Sequence, residues 1–347
     1  MDLNRIFMKN ASPTKVGGMA ILDGLMMRGS RAVAIAIRKP DGDIHLTVEP
    51  VKPRGKWAKL PIIRGVLSFV SSLVMGTSVL LYSAEVADGF EGAAPAEKDK
   101  FEIWLEKKFG SKGALNFMLY SSVVLSIALT IGLFILLPTW VLSLAEKAGV
   151  TNVILLNLLE GVLRICIFIM YIVLASRLDE IRKTFEYHGA EHKTIHCYEN
   201  GIELTPENAQ QFYTLHPRCG TSFMMFVMII SLLVFSFLGW PNLAMRLLSR
   251  LLFIPVIAGL SFELLQWTGR HNNGLVKTLS MPGILLQKLT TNEPDLKQLE
   301  VAIAAMNAVL PSHLDENVPV DYWVGTLHVA DGTTEKDEAA TEAYKNR

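Results

Sequence analysis

The sequence predicts a mainly helical, polytopic membrane protein: four spanning helices, one re-entrant or interfacial apolar segment, and a small α+β cytoplasmic cap that contains a β-hairpin. Half of the 347 residues are hydrophobic and only 19% are charged, and the mean hydropathy is +0.33. That composition is too apolar for an ordinary soluble domain. Several apolar runs approach the roughly 20 residues that a helix needs to cross a bilayer.

The cap begins in the N-terminal 60 residues. Residues 32–37 favour a strand, residues 44–48 alternate between apolar and polar, and Asp41-Gly42 lies between them. This pattern predicts a β-hairpin. A lone hairpin is not stable, so it must pack on the C-terminal region or on the helix that carries the histidines. The preceding stretch, Val16–Gly29, predicts a glycine-rich loop that closes over a neighbouring site.

Four apolar runs are predicted to cross the membrane. They are Leu115–Leu137, Val153–Ala175, Ser222–Trp240 and Leu247–Trp267. Loops rich in Lys and Arg alternate with poor ones only if these four runs alone cross, which places both termini in the cytoplasm. Segment 65–87, diluted by serine and glycine, is therefore predicted to be re-entrant, interfacial or packed on other helices. Glu160 and Arg164, four residues apart, predict a charge pair between helices.

The predicted organisation has seven parts. They are a hairpin region 1–60, a non-crossing segment and linker 61–113, a first transmembrane hairpin 114–175, a His/Cys-rich insert 176–220, a second transmembrane hairpin 221–267, a helical C-terminal region 268–331 and a disordered tail 332–347.

The insert concentrates side chains that bind metals. His188, His192 and His196 recur every four residues, so a helix presents them as one stripe. Glu199 falls near the same face. His216 and Cys219 follow in a turn that brings the chain back toward this helix.

Residues 188–192 fit the pattern H-x-x-E-H, in which two imidazoles one turn apart hold a zinc ion and Glu191 is the general base. A third ligand must come from elsewhere, and the candidates are His216, Cys219, Glu199 and Glu263. Eight residues of helix span about 12 Å, so His196 cannot share the ion of His188. It belongs to a second shell, to a second site, or to the structure alone. A closed structural zinc site is the alternative to a catalytic one.

The net charge and the cysteine content argue against two classes of protein, nucleic-acid binders and disulfide-rich domains. The formal net charge is zero, which gives no general attraction to nucleic acid. Three cysteines, one of them inside an apolar run, do not suit a disulfide framework. Cys197 is expected to be inert packing rather than a nucleophile.

Four motifs together, GGMAILDGLMMRG, EYHGAEHKTIHCYENG, LTPENA and HPRCGTSF, resemble the YqhQ-like family of bacterial membrane proteins, whose conserved domain of unknown function is DUF1385. The resemblance runs from about Gly17 to about Leu310. It implies a multi-pass protein of the bacterial cytoplasmic (inner) membrane and a metal-dependent enzyme. The polar motif of the family maps to His188, Glu191, His192, His196, His216, Arg218 and Cys219. Family members commonly have Gln and Glu where this chain has Met19 and Asp23.

Two hypotheses follow. The first is a divalent-metal site at the cytoplasmic face, with zinc in a hydrolase. Its proposed ligands are His188, His192, His216 and Cys219, with Glu191 as base and His196, Glu199, Arg218 and Glu263 as secondary candidates.

The second is a non-enzymatic module in membrane-protein biogenesis or assembly. Its cap would dock a membrane-protein or translocation-machinery partner, and a homo-oligomer is compatible with it. An ion or solute carrier is less favoured, because intramembrane charges are few and no repeat is visible.

Overall fold

The computed structural model describes residues 12–52, 60–89, 100–238, 243–271, 273–310 and 320–346, together with Ile6, Gly55 and Ala58. The strands are β1 (Gly17–Ile21), β2 (Gly24–Arg28), β3 (Ala32–Arg38), β4 (Ile44–Pro50), β5 (Trp323–Leu327) and β6 (Thr334–Lys336). The helices are α1 (Ile63–Gly89), α2 (Lys100–Ile131), α3 (Leu137–Lys147), α4 (Val153–Ala175), α5 (Asp179–Glu199), α6 (Pro206–Gln210), α7 (Gly220–Ser236), α8 (Leu243–Arg270), α9 (Gly274–Thr290), α10 (Leu296–Val309) and α11 (Glu338–Lys345). A short π-helical segment, Gly132–Leu136, joins α2 to α3.

The six strands form one antiparallel sheet in the order β1-β2-β3-β4-β5-β6. The predicted hairpin is confirmed: β3 pairs with β4 from Ala32↔Pro50 to Arg38↔Ile44. Gly42 in its turn has φ +99°, a conformation that glycine adopts without strain.

The glycine-rich stretch before this hairpin is not a loop, as the sequence had suggested. It forms β1 and β2, paired from Gly17↔Arg28 to Ile21↔Gly24. A Cβ on Gly24 would lie 2.1 Å from the Ala36 carbonyl oxygen, so glycine here permits close contact between strands. The glycines thus serve strand packing rather than loop freedom.

The C-terminal tail also differs from the prediction. Residues expected to be disordered contain β6 and α11. The side chain of Asp337 caps α11 by accepting the Ala340 N–H at 2.8 Å, and β6 pairs with β5. The tail is therefore polar because it forms an exposed edge of the sheet.

The sheet is covered on both faces. Alternate side chains, among them Leu25, Met27 and Ala34, join one buried cluster with residues of α5 and α10. The intervening side chains, including Met26 and Ile35, pack with Val79 and Tyr82 of α1 in a second cluster. The hairpin β3–β4 thus packs on the C-terminal helix α10, one of the two partners expected, while the histidine-bearing helix α5 packs on β1 and β2.

The histidine helix is separate from the preceding apolar helix. Helix α4 ends at Ala175 and α5 begins at Asp179, with Leu178 in an extended conformation. Asp179 and Glu180 lie in the first turn of α5, where acidic side chains stabilise a helix N-terminus.

Within the described ranges, four helices are long and apolar enough to cross a membrane by length and composition: Ile63–Val86, Val124–Lys147, Val153–Ala175 and Leu248–Arg270. The number matches the prediction but one member differs. Residues 63–86 qualify, whereas α7 is shorter, at 17 residues. Trp240, the predicted end of that run, lies outside the described residues.

The chain divides into two compact units, one comprising Met1–Gly92, Ile172–Ile230 and Ile254–Arg347, the other Ala93–Tyr171 and Ser231–Phe253. The predicted Glu160–Arg164 pair lies in the second unit, at 2.9 Å. Arg250 is an additional partner, donating to Glu160 Oε2 at 2.6 Å. The pair therefore belongs to a buried network that joins α4 to α8.

Candidate metal site

Helix α5 presents its histidines on a buried face. His192 and His196 are almost completely buried, as is Glu199 in the last turn. The helix ends at Glu199, before Asn200-Gly201, and Gly201 has φ +68°, a conformation common for glycine after a helix C-terminus. Gly189 lies on the same helix, and a Cβ there would be 2.0 Å from the Asn292 carbonyl oxygen. Glycine at this position lets the α9–α10 connection approach the histidine stripe.

The returning chain is held antiparallel to α5. Thr205 caps α6 by accepting the Asn208 N–H at 3.2 Å, and α6 ends at Gln210. Gln287 of α9 then fixes the backbone of His216: its Oε1 accepts the His216 N–H at 2.8 Å, and its Nε2 donates to the His216 carbonyl at 2.9 Å. Residues 216 and 219 are thereby placed beside different turns of α5.

His188, His192 and Cys219 form the first of two side-chain groups, which we name the thiol cluster. One ligand atom from each lies within 4.8 Å of the others. His188 Nε2 is 3.1 Å from Cys219 Sγ. Zinc–ligand distances of about 2.0–2.3 Å would require only small side-chain shifts from this arrangement.

Backbone carbonyls orient both imidazoles of the thiol cluster. His188 Nδ1 donates to the Thr290 carbonyl at 2.8 Å, and His192 Nδ1 donates to the Thr214 carbonyl. Since a ring nitrogen facing a carbonyl must carry the proton, each Nε2 keeps its lone pair in the neutral ring. His192 Nε2 is buried and makes no hydrogen bond with the described part of the chain. Histidines that bind metals typically donate one ring N–H to a carbonyl or carboxylate and bind the metal through the other ring nitrogen.

Interactions within the thiol cluster shift the pKa values of His188 and Cys219. Burial alone would lower the pKa of His188, but the Cys219 thiolate and Glu191 raise it to about 9. Burial would raise the pKa of Cys219, yet His188 and His192 hold it well below its usual range. The two groups therefore favour an imidazolium–thiolate pair when no other cation is present.

Glu191 is fixed beside the cluster by the sheet. Its Oε1 accepts the Gly18 N–H of β1 at 2.8 Å. Burial raises the pKa of Glu191, and His188 and His192 oppose that shift. A carboxylate whose pKa is raised by burial accepts a proton more readily than an exposed one, as a general base must.

The second group, which we name the arginine cluster, consists of His196, Glu199, His216 and Arg218. The first three also offer ligand atoms within 4.8 Å of one another. The carboxylate of Glu199, however, already accepts from Arg218 and from the Thr14 N–H at 2.7 Å. His216 Nδ1 accepts the Arg218 N–H at 3.3 Å.

Both imidazoles of the arginine cluster are held neutral. Burial lowers the pKa of His196 to about 4. Burial, together with His196, His192 and Arg218, lowers the pKa of His216 well below its usual range. His196 Nε2 donates to the Leu215 carbonyl at 2.9 Å, and its Nδ1 is buried without a partner.

The structure thus distributes the predicted residues between two groups. Cys219 joins His188 and His192, whereas His216 joins His196 and Glu199, the second-site option for His196. Glu263 lies apart from both groups, in an ion pair with Arg64. Cys197 is buried, and burial raises its pKa to about 11, in keeping with an inert thiol.

Sequence reasoning did not identify several supporting groups. The carbonyls of Thr214 and Thr290 and the N–H of Gly18 are backbone atoms, which no side-chain pattern reveals. Thr221 donates its hydroxyl to Cys219 Sγ at 3.2 Å. Gln287 could have been noticed as a lone amide within the apolar run of α9.

Two comparisons with known proteins place this chain among relatives. The family described as "Protein of unknown function (DUF1385)" matches residues 60–312. The "Uncharacterized protein YqhQ" of Bacillus subtilis (strain 168) is 34% identical over 307 residues, which cover 87% of this chain and 94% of that protein. No solved structure matches.

Proposed function

The chain belongs to the family of proteins of unknown function DUF1385, and we propose that its thiol cluster binds one zinc ion in a membrane hydrolase. The proposed location is the cytoplasmic face of the bacterial inner membrane. The chain has apolar helices long enough to span a bilayer, and these support a location in the membrane. The observation that carries the proposal is the buried Nε2 of His192, which accepts no geometric hydrogen bond from any residue that the structure describes.

The donor set fits zinc. Two imidazole nitrogens and a thiolate are borderline-soft ligands that zinc accepts in tetrahedral sites. Three protein ligands leave one position for water, the arrangement of catalytic rather than structural zinc sites. Bound zinc would supply Lewis acidity and a water of lowered pKa. Without a cation, His192 Nε2 loses the interactions that a buried polar atom normally has.

Glu191 is the proposed general base. It follows His188 by three residues, so it extends from the same helix toward the thiol cluster. The Gly18 N–H fixes one carboxyl oxygen, which leaves the other to take a proton. A Cβ on Gly18 would lie 2.9 Å from Glu191 Cδ, so glycine at this position permits the contact.

Elemental analysis of the full-length protein, purified without added metal, tests the proposal. We expect about one zinc per chain in the wild type, as in three-ligand zinc sites, and loss of that zinc in His192→Ala and Cys219→Ser. His271→Ala is the matched control, because His271 is exposed and lies outside both clusters. Full zinc occupancy in His192→Ala would refute the site.

A second candidate is thiol catalysis without metal. Cys219 lies immediately before α7, where a helix N-terminus favours a thiolate. His188 contacts its sulfur, as do the N–H of Thr221 at 3.4 Å and the Thr221 hydroxyl. An imidazole beside an activated thiolate is the arrangement of cysteine nucleophiles.

Alkylation with iodoacetamide at neutral pH separates the two candidates. A zinc-bound Cys219 should resist modification until a chelator is added, whereas a free thiolate should react without the chelator. Cys197 is the internal control, since its raised pKa keeps it protonated. The docking-module proposal gains if the protein holds no zinc, if His188→Ala retains function and if a large membrane partner co-purifies.

A further inference from the structure

Helix α1 has a bare apolar stripe along its length. Leu67, Val74 and Leu81 are 42%, 62% and 51% exposed, and their spacing of seven places them on one helix face. Val70, Leu73 and Leu80 are exposed beside them. A contiguous apolar surface of this kind marks an interaction site or a membrane contact.

The opposite face of its second half is covered by the sheet. Val79 and Tyr82 are buried against Ile21, Ile35 and other residues of β1–β3. The Tyr82 hydroxyl lies 2.8 Å from Thr47 Oγ1 and 2.9 Å from a ring nitrogen of His45, both on β4. These contacts tie residues 79–82 to a polar part of the sheet.

That attachment is incompatible with a transmembrane path for α1. A crossing helix would carry its second half, and therefore the sheet, into the hydrocarbon. Irregular turns and open sheet edges do not occur in contact with lipid, because their backbone groups find no partners there. The same sheet also packs on α5 and α10 through its other face, so it cannot be separated from the charged insert.

The first half of α1 joins helices that are apolar enough for the bilayer. A Cβ on Gly65 would lie 2.9 Å from Gly259 Cα of α8, and the Phe69 and Phe223 rings have centroids 5.9 Å apart. Arg64 pairs with Glu263 at this contact. The first half of α1 therefore packs on α8, whose residues 248–270 could span a membrane.

From this geometry we propose that α1 does not cross the membrane but lies along one leaflet, with its bare stripe in contact with lipid acyl chains. The sheet covers its other face, as expected of a monotopic segment with one apolar and one occupied side. The proposal resolves a conflict between length, which permits a crossing, and packing, which forbids it.

Helix α1 also lies close to the thiol cluster, through its sheet-facing side. Met19 of β1 packs on α1, with its Sδ 3.3 Å from the position of a Cβ on Gly76. The adjacent residue, Gly18, donates to Glu191. One strand therefore separates the proposed lipid-facing helix from the carboxyl beside the thiol cluster.

Sidedness of the two ends of α1 tests the proposal. Leu60→Cys and Glu85→Cys, each in the Cys166→Ser protein, are treated with a membrane-impermeant maleimide in right-side-out and inverted vesicles. Both should react in the same vesicle orientation. Reaction from opposite sides would overturn the proposal. Thr151→Cys and Leu178→Cys, which bracket α4, are the matched pair for a helix expected to cross.

A depth measurement covers the case in which an end cysteine is shielded. A fluorophore on Leu67→Cys, Val74→Cys or Leu81→Cys is exposed to lipids brominated at different acyl positions. We expect fluorescence loss at all three positions, with Val74 no deeper than Leu67. A maximum depth at Val74, or no quenching along the stripe, would contradict the lipid contact.

Discussion

The thiol cluster and the arginine cluster contain similar side chains one helical turn apart, but they differ in what balances their charge. In the thiol cluster, two imidazoles and a thiolate meet, and among the described residues no permanent cation joins them and no group hydrogen-bonds to His192 Nε2. In the arginine cluster, the Arg218 guanidinium already neutralises Glu199. A list of metal-binding residue types therefore does not identify a metal site. What distinguishes the two clusters is whether an arginine already balances the negative charge that a metal ion would otherwise balance.

The difference arises from the path of the chain. His216 and Cys219 are three residues apart in a turn that runs back along α5. That turn brings the thiol to His188 and the imidazole to His196. Arg218 lies between them and reaches Glu199, at the C-terminal end of α5.

The largest expected effect concerns Glu199. Glu199→Gln leaves the Arg218 guanidinium without its carboxylate, and removing one partner of a buried pair costs about 3–5 kcal/mol. Because the Arg218 side chain is 26% exposed, we expect the low end, about 3 kcal/mol of unfolding free energy. Thermal unfolding in detergent would measure the loss.

Zinc content should remain unchanged in Glu199→Gln, because Glu199 does not belong to the thiol cluster. Asp179→Asn on the same helix is the matched control, since its ion pair with Arg182 is exposed and contributes less than about 1 kcal/mol. Loss of zinc from Glu199→Gln would show that the two clusters act as one site.

The second prediction uses pH. His196 has a pKa of about 4 in the folded protein, below the roughly 6.5 of an unfolded chain. Below about pH 6.5, His196 is protonated in the unfolded chain but stays neutral in the folded protein. Its contribution to stability therefore falls between about pH 6.5 and pH 4, by up to about 3 kcal/mol.

For His188 the sign reverses. Its folded pKa is raised to about 9, so its own contribution is fully present below about pH 6.5 and is lost as the pH rises through about 9. The lowered pKa of Cys219 contributes with the opposite sign, so the net alkaline loss from the pair begins only above about pH 8.5, the ordinary pKa of a thiol. Unfolding of chelator-treated protein from pH 4 to pH 10 would measure both slopes. The acidic slope should flatten in His196→Asn and the alkaline slope in His188→Gln. If unfolding depends on pH equally in the wild type and in the variants, His196 and His188 are not the groups responsible.

The third prediction converts one cluster into the other. Arg218→Gln removes the counter-ion from Glu199 and opens the arginine cluster to a metal ion. We expect a second, weaker zinc equivalent that restores stability, by about 2.7 kcal/mol at a hundredfold excess over Kd. Zinc titration monitored by thermal unfolding measures this rescue.

Arg182→Gln is the control for Arg218→Gln, because Arg182 is exposed and contacts neither cluster. Zinc stoichiometry that stays at one per chain in Arg218→Gln would mean that the arginine cluster is purely structural. Rescue of Arg182→Gln by zinc would indicate a non-specific effect.

Local pattern determined much of this protein. Helical periodicity alone put His188, His192 and His196 on one stripe, because the α-helix repeats every 3.6 residues. Alternation around Asp41-Gly42 predicted the β3–β4 hairpin, and apolar length predicted helices able to span a bilayer. Each of these features depends on residues near one another in the chain.

Only the tertiary structure decided which ligand candidates meet. The positions of His216 and Cys219 depend on Gln287 of α9, and the free nitrogen of His192 depends on the Thr214 carbonyl. The glycines of β1 and β2 were read as a loop, since their packing partners lie on other strands. Contacts between distant segments follow from the packing of the whole chain, so no local pattern could supply them.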